Sequence, residues 1–286
     1  MLLDAHAHAY EERDIRLIRE RTALLDQELP DSDPNKWRLC QEGSLASLLQ
    51  EEEAAGIDGF VLLPVSGSPA RISELNRWTA DQAAKENRII PFGTLLAQSG
   101  QIEDDLQEIL DLGLKGVKIH PFLQRLDILS SEAAVLWSLL ERSGLPIMLD
   151  TMYLAGLLQQ KPHLQAFVDT AHPYDCGPSQ IAALIRRYPG LTLIAAHLGS
   201  LYGWEHLGPL FPLEQVYFDL SFIAPLLPED QVMSVIRRKG ADRILFGTDA
   251  PWRRPADIRA WFDALPLTYE ERGLIGSENL LRLIGP

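Results

Sequence analysis

Cysteine is almost absent from this chain. Cys40 and Cys176 are the only two in 286 residues, far apart and in no CxxC pair, which excludes a disulfide framework and a thiolate zinc site. Also missing is any apolar run approaching the roughly 18 residues that a membrane span needs. The opening segment, Met1 to Ala9, runs into Glu11, Glu12, Arg13 and Asp14 too early to serve as a signal-peptide core. Basic residues are scarce as well: 26 Lys and Arg face 40 Asp and Glu, for a formal charge of -14. Phosphate-backbone recognition relies on clustered Lys and Arg, so a nucleic-acid partner is not expected and a small-molecule substrate is. Without a membrane signal or a disulfide framework, the expected location is the cytoplasm. No low-complexity linker or composition shift marks a second domain.

What is present is enough apolar material for a large core, 46% of the residues. Short apolar runs alternate with longer segments of helical periodicity, the pattern of repeated βα units. Strands are expected at Leu2–His8, Gly59–Pro64, Ile89–Leu95, Gly116–His120, Pro146–Asp150, Leu191–His197, Val216–Leu220 and Arg243–Gly247. Most are continuously apolar rather than alternating, as in a parallel barrel covered on both faces. Helical spacing marks Leu45–Ala55, Ile72–Glu86, Ile102–Leu112, Ser131–Arg142, Pro178–Tyr188, Glu229–Arg238 and Ala256–Leu265, several followed by a glycine suited to a C-cap. The resulting expectation is an α/β fold, a (β/α)8 TIM barrel formed by residues 1–286 as one domain. Two connections, Ala9 to about Gly43 and Thr151 to about Gly177, exceed plain turns. They follow the first and fifth strands and are expected to cover the C-terminal face.

Chemistry-bearing residues fall at strand ends. Asp4-Ala5-His6-Ala7-His8 closes the first strand, and a period of two predicts Asp4, His6 and His8 on one face. Alone, such a pair can be two hydrogen-bonded core histidines. Its weight comes from His197 at the end of a later strand and Asp249 at the end of the last, because a barrel brings strand C-termini to one cavity.

These motifs, together with GFVLLPV at 59–65, KGVKIHP at 115–121, RYPGLTLIAAHLGS at 187–200, VYFDLS at 216–221, RILFGTDAPW at 243–252 and ENLLRLIG at 278–285, carry a family likeness over nearly the whole chain. Their order and spacing resemble the amidohydrolase-related (amidohydrolase 2) branch of the amidohydrolase superfamily. That group includes aminocarboxymuconate-semialdehyde decarboxylase and 2-pyrone-4,6-dicarboxylate hydrolase. The resemblance implies that His6, His8 and Asp249 are metal ligands and that His197 stands beside the ion, contacting substrate or orienting water. The strand-five position usually holds a histidine ligand; here it is Asp150, a harder oxygen donor that shifts preference somewhat from zinc toward manganese. Asp150 is taken as a fourth ligand, with a loop-capping role, or replacement by His172 or His163 from the loop that follows, as the alternatives. One divalent ion is expected, zinc first and manganese next. A carboxylated Lys118 bridging two metals is not expected, since the branch works with one. His120 is the more plausible substrate contact on that strand.

Trp252, Arg253 and Arg254 follow Asp249 and are expected near the rim, where a guanidinium can grip a carboxylate. Tyr10, Tyr153 and Tyr202 are positioned to cover the pocket. The leading reading is a metal-dependent hydrolase in which Asp249 takes a proton from metal-bound water and His197 polarises the carbonyl of an amide, ester or lactone. The competing reactions are nonoxidative decarboxylation of a small acidic or aromatic carboxylate and metal-free lactone hydrolysis. A noncatalytic binding barrel is the reading outside enzymology. By family analogy the protein is expected to be a homo-oligomer.

Overall fold

The computed structural model describes residues 1–168 and 174–285. Nine strand segments run in chain order: β1 Leu3–Ala7, β2 Gly59–Leu62, β3 Ile89–Pro91, β4 Gly93–Thr94, β5 Val117–Ile119, β6 Ile147–Leu149, β7 Leu193–Ala195, β8 Val216–Asp219 and β9 Ile244–Leu245. All pair in parallel with their sequence neighbours, in two ladders, β1-β2-β3 and β4 to β9. The segment expected to be one strand, Ile89–Leu95, is split at Phe92. The break is a change of partner: Phe92 N donates to Leu62 O at 3.3 Å on one side, and Gly93 N to Gly116 O at 2.8 Å on the other. The ring closes where Ala5 N donates to Phe246 O (2.9 Å), Asp249 N to His6 O (2.7 Å) and His8 N to Ala250 O (2.7 Å). First and last strands thus meet at the level of the candidate ligands.

Continuous apolar strands bury both faces, and the core is accordingly double. Leu3, Ala5, Val61, Leu63, Met148, Ile194, Ala196 and Leu245 form the cluster inside the barrel. Residues of opposite parity, such as Val117, Ile119, Ile147, Leu149, Leu193 and Ala195, pack outward against the helices. Gly116 allows this close packing, since a Cβ there would stand 2.3 Å from the Phe92 ring and 2.7 Å from Pro146 O.

Helices occupy Leu45–Ala54, Ile72–Ala83, Ile102–Asp111, Ala134–Ser143, Pro178–Arg187, Glu229–Lys239 and Pro255–Ala264, within a few residues of expectation. Ser44 caps the first of these by accepting from Ser47 N at 3.2 Å. Gly144, at φ 69°, ends the helix that precedes β6. The first long connection contains an unexpected helix, Glu12–Leu25, whose only buried residue is Thr22. The second holds Leu154–Gln160 and a 3-10 turn, Pro162–Ala166. Among the described residues no helix is long and apolar enough to cross a membrane.

Candidate metal centre

His6, His8 and Asp249 come together at the C-terminal mouth of the barrel. His6 Nε2 lies 3.7 Å, and His8 Nε2 3.5 Å, from Asp249 Oδ1. Ligands about 2.0–2.2 Å from one tetrahedral ion stand roughly 3.3–3.6 Å apart, so this spacing fits a single cation. The outward nitrogens are already committed. His6 Nδ1 donates to Asp219 Oδ2 at 2.8 Å and His8 Nδ1 to the Leu63 carbonyl at 2.8 Å. Each Nε2 lone pair is thereby turned toward the common point, as metal-binding histidines require. Burial, with Lys118 adding to it, lowers the His6 pKa to about 4, keeping this imidazole neutral.

A second trio shares His6. Its nitrogen, a carboxylate oxygen of Asp150 and a nitrogen of His197 lie within 4.8 Å of one another. Asp150 Oδ2 is 3.6 Å from His197 Nε2 and accepts from Lys118 Nζ at 3.0 Å; its Oδ1 is 3.7 Å from His120 Nε2. Desolvation opposes ionisation of Asp150, but His120, Lys118 and His197 outweigh it and hold its pKa well below the usual carboxylate value. For His197 burial pulls the pKa down while Asp150, Asp249 and Asp219 push it up, to about 9. None of these five donor residues is more than 8% exposed. Two of them, His197 (φ 56°) and Asp249 (φ 62°), sit in left-handed backbone that non-glycine residues rarely adopt, a strain found where geometry is fixed for function.

Sequence reasoning missed the group that organises this cluster. Asp219, at the end of β8, orients His6 and also accepts from His197 N (2.8 Å), Ser221 N (3.0 Å) and Ser221 Oγ (2.6 Å) through Oδ1. Ser221 Oγ in turn accepts from His197 Nδ1 at 2.9 Å. The available signal was an ionisable residue ending an apolar strand, the same signal that marked Asp249. Asp4 corrects a second expectation. The β1–β2 register shifts between Asp4 and Ala7, and Asp4 does not join His6 and His8. It accepts from His6 N at 2.8 Å, from Thr248 N at 2.9 Å and from the Thr248 hydroxyl, and faces Glu52. Asp4 therefore braces the backbone on both sides of the ring closure.

The remaining candidates are dispersed. His120 is half-buried beside Asp150, with Nδ1 accepting from Leu123 N at 3.4 Å, and burial lowers its pKa to about 4. Trp252 Nε1 donates to Tyr10 OH at 3.0 Å, and the Tyr10 ring is parallel to His8 with centroids 6.0 Å apart. The Arg253 guanidinium lies 3.7 Å from the centre of the Phe222 ring and donates to Pro34 O at 2.8 Å. Tyr153 packs edge-on to His206 with centroids 4.9 Å apart, and Tyr202 is tilted against Trp204. His163 is corrected as an alternative donor: its Nε2 is held 3.0 Å from Asp26 Oδ1, in a separate buried cluster. His172 lies outside the described residues.

Comparison with known proteins bears on the reaction. The family model described as Amidohydrolase matches residues 3–285. Gamma-resorcylate decarboxylase of Rhizobium sp. (strain MTP-10005) is 24% identical over 244 residues, covering 71% of this chain and 72% of that protein. The crystal structure of 5-carboxyvanillate decarboxylase from Sphingomonas paucimobilis superposes with a TM-score of 0.74 at 14% identity, covering 99% of this chain and 98% of that one. Dihydroxybenzoic acid decarboxylase from Polaromonas sp. JS666, solved with manganese and 2-nitroresorcinol, gives 0.70 at 19% identity, covering 99% and 96%. The fold is thus the (β/α)8 barrel expected from the sequence. The hydrolase expectation is overturned, because the curated relatives matched over seven-tenths of the chain are named decarboxylases. A histidine pair and an aspartate hold an ion equally well for either reaction, which is why the motifs alone pointed the wrong way.

Proposed function

The chain belongs to the amidohydrolase family, and from that premise we propose that it is a metal-dependent, nonoxidative decarboxylase of a small hydroxylated aromatic carboxylate. The observation that carries the reading is the dry donor cluster. His6, His8 and Asp249 point three ligand atoms at one position, with every donor nearly buried. Desolvation raises the energy of a substrate carboxylate relative to neutral carbon dioxide, so a water-poor cavity favours carbon–carbon cleavage. The named activities of the relatives, on resorcylate and carboxyvanillate, support the same class.

In this reading His6, His8 and Asp249 hold the ion, and Asp150 is a further oxygen donor in reach. Zinc is the first expectation; an oxygen-containing donor set also suits manganese. When bound, the cation supplies positive charge that orients the substrate and stabilises developing negative charge on its oxygens. The carbon–carbon bond breaks, the electron pair stays on the ring carbon, and a proton takes the place of the departing carboxyl. His197 is placed to deliver that proton, with Nε2 3.6 Å from Asp150 Oδ2 and the ring held by Nδ1 donating to Ser221 Oγ. Asp219 and Ser221 fix the orientation of His197 and His6. Trp252 and Tyr10 wall the His8 side, and His120 faces substrate beside Asp150. The homo-oligomeric, small-molecule character expected from the sequence belongs to the same proposal.

The test is incubation of zinc- or manganese-loaded protein with 2,6-dihydroxybenzoate and 5-carboxyvanillate. Carbon dioxide and the decarboxylated phenol are expected in equal amounts. Failure to release carbon dioxide from a panel of hydroxybenzoates by protein of full metal content would refute the reading.

A further inference from the structure

Lys118 is a cation at the centre of this cluster for which the reaction above has no use. Its side chain is fully buried at the mouth-facing side of β5, and its Nζ donates to Asp150 Oδ2 at 3.0 Å and to His6 Nε2 at 3.2 Å. An ammonium has three N–H donors, and among the described residues these are its two acceptors. The bond to His6 competes with metal ligation for a single lone pair, since the other ring nitrogen carries the hydrogen given to Asp219. An ion held at His6 Nε2 therefore takes one acceptor away from Lys118. Two of the three donors are then unpaired at a fully buried position, a costly state for a charged group.

We propose that those two donors are the substrate anchor: Lys118 binds an anionic oxygen of the substrate beside the ion. The chemical class selected is a small carboxylate presenting either its carboxylate or an adjacent phenolate oxygen to the barrel floor. Asp150 makes this possible. A carboxylate at that strand end, unlike an imidazole, supplies the countercharge that keeps an ammonium in place next to a divalent cation. The departure from the strand-five histidine implied by the family likeness thus has a physical purpose: a carboxylate at that strand end fixes the lysine through Oδ2 and leaves Oδ1 as an oxygen donor. The inference rests on the decarboxylase reading only for the kind of molecule bound.

The experiment is calorimetric titration of manganese-loaded wild type, Lys118→Met and Lys118→Arg with benzoate, phenol and salicylate, with metal content measured on each sample. The Met variant is expected to keep its metal and to lose about tenfold or more in affinity for the anchored probe, while the Arg variant stays within about threefold. Losses for benzoate and salicylate assign the carboxylate to Lys118; losses for phenol and salicylate assign the hydroxyl oxygen. Unchanged affinities in the Met variant overturn the proposal. So does loss of its metal, which would make Lys118 part of the ion's own support, or absence of binding by loaded wild type. If the Met variant does not fold, a crystal structure of loaded wild type with salicylate decides. A probe oxygen within about 3.2 Å of Nζ upholds the anchor, and none within about 4 Å overturns it. Carbon dioxide release from 2,6-dihydroxybenzoate is followed in parallel. Lys118-dependent binding without release refutes the decarboxylase and upholds the anchor; release with unchanged binding in the Met variant does the reverse.

Discussion

Replacing Asp26 by Asn tests what holds the two long connections together. Asp26 and Lys161 are both fully buried, with Lys161 Nζ 2.5 Å from Asp26 Oδ2. The same carboxylate accepts from Trp37 N at 2.7 Å and faces His163 Nε2 at 3.0 Å, and the ammonium lies 3.8 Å from the centre of a Trp37 ring. One residue pair thus ties the loop after β1 to the loop after β6. Removing one partner of a buried pair costs about 3–5 kcal/mol, because the remaining charge is left without compensation. Here the amine has an escape. Burial already pulls the Lys161 pKa down to about 8 against the opposing effect of Asp26, so without Asp26 it sheds its proton, which limits the loss to about 3 kcal/mol. For a chain of this size that is a fall in Tm of roughly 5 °C. The assay is a thermal melt at pH 7 of Asp26→Asn, Lys161→Met and the double variant. The double variant is expected to recover about 1–3 kcal/mol relative to the sum of the singles. Additive losses, or a single-variant loss under about 1 kcal/mol, would show that the clasp contributes nothing as a pair.

Asp249→Asn is expected to reduce turnover by about 10³-fold or more while the far-ultraviolet circular dichroism is unchanged, since the variant removes a proposed metal ligand but keeps the strand-end backbone bonds; turnover near the wild-type rate would remove Asp249 from the site. Asp219→Asn, which leaves His6 without its charged partner, is expected to weaken metal affinity about 10–100-fold, read by competition with a chelating dye. The Asp4–Glu52 pair gives a pH dependence of defined sign. Burial raises the Asp4 pKa from 3.8 to about 7 and raises Glu52 as well, so the folded protein keeps a proton that the unfolded chain releases near pH 4. Its contribution to stability is therefore full below about pH 4 and is lost as pH rises through about 7. Glu52→Gln keeps a hydrogen-bond donor facing Asp4 without that proton, and its Tm relative to wild type is expected to rise between pH 5 and pH 8; a constant difference would rule out proton sharing.

Strand positions were readable because a parallel barrel strand must be apolar on both faces, and runs such as Ile147–Leu149 and Leu193–Ala195 have no other destination. The helix Glu12–Leu25 was missed although Ile15, Ile18 and Leu25 recur at helical spacing, because charged residues crowd the segment and it buries only Thr22. His6, His8 and Asp249 were legible because residue type and strand-end position together imply convergence. Asp219 escaped, although it lies in a quoted motif, because orienting a histidine requires nothing of an aspartate that a helix cap or a turn does not also require. The face assigned to Asp4 failed at the register shift, since alternation holds only where pairing is regular.

The sequence by itself determined the barrel and the ends of the chain that meet at its mouth, through patterning and ligand chemistry that depend on nearby residues only. The tertiary structure decided which partners the ionisable groups have: Asp219 behind His6, Lys118 against Asp150, Lys161 on Asp26. These pairs are separated by 213, 32 and 135 positions respectively. Their strength comes from burial and from distances of about 3 Å, which are properties of the folded chain that no local pattern encodes.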